Sequence, residues 1–97
     1  MTLDELRASV RSGAEPPGLD PCLTALWNEA RGDWKLAHEI VQEQTGEAAA
    51  WVHAYLHRKE GDLANARYWY GRASRPPASA SHDAEWAEIA AALLQRG

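Results

Sequence analysis

The segment EGDLANARYWY (residues 60–70) decides the fold, because an earlier segment, RGDWKLAHEIV (residues 31–41), repeats its pattern without a gap. Gly61 follows Gly32 by 29 positions, and an aspartate comes directly after each glycine. A glycine can adopt the left-handed conformation that ends one helix, and an aspartate can cap the helix that follows. Apolar residues at helical spacing lie on both sides of each Gly-Asp pair. The sequence therefore predicts two tandem helical hairpins.

Two further helices are predicted outside the hairpins. Thr2 and Glu5 form the pattern of a capping box at the start of the chain. After the polar segment RPPASAS, either Ser81 or Asp83 can cap a last helix. The apolar residues of that helix share one face, and Glu85 is expected to lie largely on its polar face.

The predicted fold class is all-α, with about six helices in a single domain over residues 1–97. Two hairpins are fewer than the roughly three repeats that a free-standing helical array normally needs. We therefore expect the terminal helices to cover the two ends. The predicted parts are an N-terminal helix (1–13), a first hairpin (18–46), a second hairpin (47–76) and a C-terminal covering helix (81–96).

The second hairpin carries a family resemblance. In EAAAWVHAYLHRKEGDLANARYWYGRASRP, Ala54, Ala66, Tyr70 and Ala73 lie around the Gly-Asp turn as in a tetratricopeptide repeat, and NARYWYGRA resembles the second helix of Sel1-like repeats. The unit is shorter than the usual 34 residues, and the first hairpin matches at fewer positions. The resemblance implies an array of hairpins whose groove binds an extended protein or peptide partner. The segment is also similar to small uncharacterised bacterial proteins, which implies no activity.

The composition indicates a folded protein with a modest core. Of the 97 residues, 45% are apolar, and the chain has five tryptophans, three tyrosines and no phenylalanine. Alanines let helices approach closely, and a few large rings fill the remaining space. The net charge of −4 argues against binding nucleic acid through the whole surface.

Several features predict a soluble cytoplasmic protein without a membrane partner. The apolar runs are far shorter than the roughly 20 residues of a membrane-spanning helix, and the start of the chain lacks the pattern of a signal peptide. Cys22 is the only cysteine, so no internal disulfide can form. We expect Cys22 to be a small buried residue, with a lowered thiol pKa as the alternative if the side chain is exposed.

One pattern suggests a metal site. His53, His57 and Glu60 follow one another at i, i+4 and i+7, which places them in a narrow sector of one helix at about 100° per residue. Two imidazoles and a carboxylate are ligands that zinc or iron accepts. The alternative is that both histidines are structural and face water or a neighbouring helix. The sequence does not place a further ligand, and we predict no cofactor.

A second pattern, in which aromatic rings and Arg, Lys or Asn side chains occur on or near one helix face, suggests a binding face. Aromatic rings offer contact area, and Arg and Asn side chains bind backbone or carboxylate groups. Three interpretations are open: the rings belong to the core, they line a groove for a peptide or acidic partner, or they stack on single-stranded nucleic acid. The predicted partner-binding residues are Trp51, Tyr55, Arg58, Lys59, Asn65 and Arg72.

The leading functional hypothesis is a protein-interaction module that also forms a homodimer if two repeats leave apolar surface uncovered. The alternative is a metal-dependent enzyme or sensor that uses His53, His57 and Glu60. Catalysis by a serine triad is not favoured, because Ser81, His82 and Asp83 are adjacent in the chain and cannot face one another. The interaction module is favoured over the metal-dependent enzyme because it needs only the repeat architecture, and on that ground we expect that the protein is not an enzyme.

Overall fold

The computed structural model describes residues 1–96, and six α-helices and no strand occur in that part of the chain. The all-α prediction is confirmed. The helices are α1 (Leu3–Ser12), α2 (Pro21–Ala30), α3 (Trp34–Gln42), α4 (Glu47–Glu60), α5 (Leu63–Arg72) and α6 (His82–Arg96).

Local sequence signals account for where the outer helices begin. The Thr2 hydroxyl accepts a hydrogen bond from the amide of Glu5, whose carboxylate in turn accepts from the amide of Thr2. The hydroxyl of Ser81 accepts from the amide of Ala84 at 3.1 Å, so Ser81 and not Asp83 caps α6. These side chains satisfy amides that would otherwise lack a partner at a helix start.

Both Gly-Asp turns form as predicted. Gly32 and Gly61 have φ values of 93° and 89°, which lie in the left-handed region that disfavours side chains. The carboxylates of Asp33 and Asp62 then accept hydrogen bonds from amides in the first turn of α3 and of α5. Each turn joins two helices that pack against one another, so the hairpins are α2–α3 and α4–α5.

Helix α4 is the centre of the molecule. It packs against α2, α3, α5 and α6, and nine successive side chains, from Ala49 to His57, are buried. Alanines at 49, 50 and 54 allow this close approach, while Trp51 and Tyr55 supply bulk. A helix surrounded in this way has no exposed face over those nine residues, which is why its periodicity alone does not reveal which side holds the core.

Helix α6 lies across both hairpins and corrects one prediction. Glu85, expected on the polar face, is 1% exposed. Its carboxylate accepts hydrogen bonds from the Tyr70 hydroxyl at 2.6 Å and from the Arg58 guanidinium at 2.9 Å. A buried carboxylate is tolerated when such donors satisfy it. On the other hairpin, the Trp86 indole donates to the carbonyl of Leu26 at 2.9 Å.

No helix within residues 1–96 has the length and apolar character that crossing a bilayer requires.

Candidate metal centre

Three of the four histidines meet where the two hairpins pack together. His38 comes from α3, and His53 and His57 come from α4. One ligand nitrogen from each lies within 4.8 Å of those of the other two, and Nε2 of His53 is 3.1 Å from Nε2 of His38. His53 and His57 are buried, whereas His38 is partly exposed. We call His38, His53 and His57 the histidine trio.

Ring packing fixes the orientation of the trio. The rings of His53 and His57 stack at a centroid distance of 5.0 Å, and the ring of His38 meets both nearly edge-on, at 4.8 Å and 5.3 Å. Trp69 of α5 stacks on the outer face of this pair, with its centroid 3.9 Å from that of His53. Such contacts restrict rotation of the imidazoles.

Trp34 positions the histidine that α3 contributes. Its ring stacks on His38 at 5.0 Å, and its indole nitrogen donates to the carbonyl of Leu56 at 2.7 Å. Since Leu56 directly precedes His57, this hydrogen bond ties α3 to α4 at the level of the trio. Because Trp34 also stacks on His38, the hydrogen bond fixes the position of His38 relative to His57.

Glu60 lies beside the trio and is bound to one of its members. Its carboxylate is 2.7 Å from Nδ1 of His57, which leaves Nε2 of that ring for another partner. A carboxylate on the second nitrogen of a metal-binding histidine orients the ring and raises its basicity. In this structure Glu60 thus holds the place of a supporting residue, and the third nitrogen comes from His38, which the sequence interpretation did not include.

A second group of potential ligands shares one residue with the trio. Asp62 joins His57 and Glu60 within 4.8 Å. The Asp62 carboxylate, however, caps α5 by accepting from the amide of Asn65 at 3.2 Å and from its side chain at 2.8 Å. This group is more exposed, and its carboxylates already have hydrogen-bonding partners.

Burial favours the neutral form of two members of the trio, His53 and His38. Desolvation, reinforced by the neighbouring imidazoles, lowers the pKa of His53 to about 4. The pKa of His38 is lowered by the same causes, burial first and then the adjacent His57. Neutral imidazoles have a free lone pair, which is the form that binds metal ions.

The predicted binding face is not formed as a surface. Tyr55 is 1% exposed and Trp51 is 6% exposed, so the interpretation in which both rings belong to the core is the one their burial favours. The Tyr55 hydroxyl donates to the buried Glu29 at 2.9 Å, and this environment raises the pKa of Tyr55. The guanidinium of Arg75 covers the ring of Trp51 at 3.4 Å.

The charged and polar members of the predicted face are also dispersed. Arg58 binds Glu85, and Lys59 binds Glu29 at 2.7 Å. Asn65 belongs to the cap of α5, and Arg72 lies near the other end of that helix. Because α6 packs on α2 and α4, it covers the side on which we expected a partner.

Cys22 is buried, in agreement with the sequence interpretation. Desolvation and the nearby Asp20 carboxylate raise the pKa of its thiol to about 11. The alternative of a lowered thiol pKa is therefore wrong.

Sequence reasoning missed His38 and its neighbour Trp34. In a stack of hairpins, the second helix of one unit packs on the first helix of the next, so α3 was bound to meet α4. His38 is the only histidine on α3. A histidine on α3, taken together with the packing of α3 on α4, is the signal that would have revealed this ligand.

In comparisons with protein-family models, curated proteins and solved structures, none matches the chain. The resemblance to tetratricopeptide repeats therefore rests on the residues alone and stays a prediction, as does the interaction with a protein partner.

Proposed function

We propose that this protein binds one divalent transition-metal ion, with zinc as the first candidate, through the imidazoles of His38, His53 and His57. The observation that carries the proposal is the convergence of three imidazoles from two hairpins, with their ligand nitrogens within 4.8 Å of one another. Imidazole is the most frequent protein ligand for such ions.

The geometry supports this role. Zinc binds imidazole at about 2.0–2.1 Å in a tetrahedral arrangement, which places two ligand nitrogens roughly 3.3 Å apart. The separation of 3.1 Å between Nε2 of His38 and Nε2 of His53 is close to that value. In the metal-free protein one of these nitrogens donates a hydrogen bond to the other, and a metal ion bound to both would take the place of that hydrogen bond.

The surroundings of the trio resemble the support that metal ligands receive in proteins. Glu60 holds Nδ1 of His57 in place, and Trp34 and Trp69 stack on His38 and His53. Such supporting contacts typically change metal affinity by about 10- to 100-fold. Hard ions such as Mg²⁺ and Ca²⁺ prefer oxygen ligands and are not favoured by three nitrogens.

The test is a calorimetric titration of the untagged chain with Zn²⁺. The wild type should bind one ion per chain near pH 7. Replacing one ligand, as in His38→Gln, should weaken binding by more than the roughly 100-fold that loss of a supporting residue costs. The glutamine keeps a polar group beside His53, and circular dichroism verifies that the variant is folded.

His82 provides the matched control. It is the fourth histidine of the chain, it is exposed at the start of α6, and it lies outside the trio. His82→Gln should bind Zn²⁺ as the wild type does. Absence of stoichiometric binding by the wild type, or equal binding by wild type and His38→Gln, would show that the trio is a packed cluster of structural histidines and would end the proposal.

A further inference from the structure

The histidine trio provides three ligands, and a tetrahedral metal ion takes four. Structural zinc sites obtain all four from the protein, whereas sites with three protein ligands hold water or another exchangeable ligand in the fourth position. Among residues 1–96, the potential ligands close to the trio are the carboxylates of Glu60 and Asp62. The source of the fourth ligand therefore depends on whether either carboxylate is free.

Neither carboxylate is free to take that position. Glu60 is bound to Nδ1 of His57, on the opposite side of the ring from the nitrogen that remains for a metal. Asp62 accepts two hydrogen bonds from Asn65 and closes the first turn of α5. Moving either one onto the metal would break a short hydrogen bond or uncap a helix.

The charge balance favours an anion in the fourth position. An imidazole that coordinates through its lone pair supplies no negative charge, so a divalent ion at the trio would bring two positive charges to a largely buried position. Glu60 offsets one of them through its contact with His57. Buried charge is costly unless it is compensated, and one further negative charge would complete the compensation.

A cavity of about 240 Å³ borders His53, the one member of the trio in its wall. Trp69, which stacks on His53, forms part of its wall, and its charged side chains are Arg72 and Glu47. Arg72 donates one hydrogen bond to the Tyr68 hydroxyl at 3.1 Å, so most of its five N–H donors are available. The cavity is large enough for a ligand of a few atoms.

We propose that the metal at the trio keeps its fourth position for a small exchangeable anion, which enters through the cavity beside His53 and is attracted by Arg72. This inference rests on the proposed function. It assigns the protein a site that binds and exchanges anionic ligands, as opposed to a closed site that only stabilises the fold.

The experiment uses Co²⁺ in place of zinc, because the visible absorption of Co²⁺ reports its coordination. Azide is the anionic probe and imidazole is the neutral one. Azide should shift the Co²⁺ spectrum and reach saturation. Arg72→Gln should weaken azide binding by about two- to fivefold, the effect of one exposed charge, and should leave the affinity for Co²⁺ and for imidazole unchanged.

Two further variants separate the cavity from the overall charge. Arg67→Gln removes the same charge from an exposed position of α5 outside the cavity wall, and azide affinity should not change. Glu47→Gln removes the acidic group from the wall, and azide affinity should rise.

The outcomes distinguish the two proposals. If Co²⁺ does not bind, the proposed function fails and this inference fails with it. If Co²⁺ binds and azide leaves the spectrum unchanged at large excess, the metal site stands and the open position is refuted. If azide binds equally to Arg72→Gln and Arg67→Gln, the entry route beside Arg72 is refuted.

Discussion

The two hairpins share the same turn and differ in what surrounds them. In both, the amide of the turn aspartate donates to a carbonyl of the preceding helix at 2.9 Å, Asp33 to Asn28 and Asp62 to His57. The residues before the turns are nevertheless different, since His53 and His57 occupy the positions that Thr24 and Asn28 hold in the first hairpin.

The difference follows from position in the array. The sector of α4 that carries His53 and His57 meets α3 of the preceding hairpin, whereas α2 has no hairpin before it. Thr24 and Asn28 are only partly buried, and the Asn28 side chain donates to the carbonyl of Thr24. Two similar units therefore create one junction with a chemistry that neither unit has alone.

The largest expected effect concerns the attachment of the second hairpin to α6. Glu85→Ala leaves the Arg58 guanidinium and the Tyr70 hydroxyl without their shared acceptor, and Arg58 is 15% exposed in its side chain. We expect the free energy of unfolding to fall by about 3–5 kcal/mol, measured by urea denaturation.

Glu88 on the same helix gives the comparison for that measurement. Its side chain is 64% exposed, and its carboxylate lies 3.9 Å from the guanidinium of Arg75. Glu88→Ala should change the free energy of unfolding by no more than about 0.5 kcal/mol. Equal losses in the two variants would contradict the assignment of Glu85 as the residue that attaches α6.

An intermediate effect is expected when His53 and His57 of α4 are replaced by the residues that α2 has at the equivalent positions. In the metal-free wild type, His53 binds a proton only near pH 4, whereas in the unfolded chain it does so near its ordinary pKa of 6.5. The unfolded state therefore binds more protons between these values, and the free energy of unfolding should fall as pH drops from about 6.5 towards 4, by on the order of 2 kcal/mol.

The variant His53→Thr with His57→Asn should lose this part of the pH dependence. Wild type and variant are compared by denaturation at several pH values between 6.5 and 4.5. The carboxylates titrate in both proteins, so their contribution cancels in the comparison. Parallel curves would mean that the folded protein does not resist protonation of His53.

The smallest expected effect tests the equivalence of the two turns. Asp33→Ala and Asp62→Ala each remove one helix cap and should each lower the free energy of unfolding by about 1 kcal/mol. Asp62 accepts a further hydrogen bond from the Asn65 side chain, so its loss should be slightly greater. If the losses in the two variants differ by more than about 1 kcal/mol, the two turns do not contribute equally to stability.

The parts of the fold that were predictable depend on local chemistry. The capping box at Thr2 and the Gly-Asp turns involve residues within five positions of one another, so the sequence contains the whole interaction. The number of helices follows from such signals, and it was predicted correctly.

The candidate site was predictable only where it lies on one helix. His53 and His57 were found from their spacing, but His38 reaches them through the packing of α3 on α4. Glu85 was assigned to the wrong face because its partners, Arg58 and Tyr70, come from other helices. Trp51 and Tyr55 could not be assigned, since periodicity does not distinguish core from groove on a helix that is buried all round.

The burial of α4 also has a consequence for motion. Local fluctuations in a protein open the segments with few buried contacts first, and the most enclosed segment opens only when the whole chain unfolds. Nine successive buried residues make α4 that segment. His53 and His57 therefore keep their mutual arrangement while the ends of the chain fray, and of the three imidazoles the one on α3, at the partly exposed His38, has the greatest freedom to move.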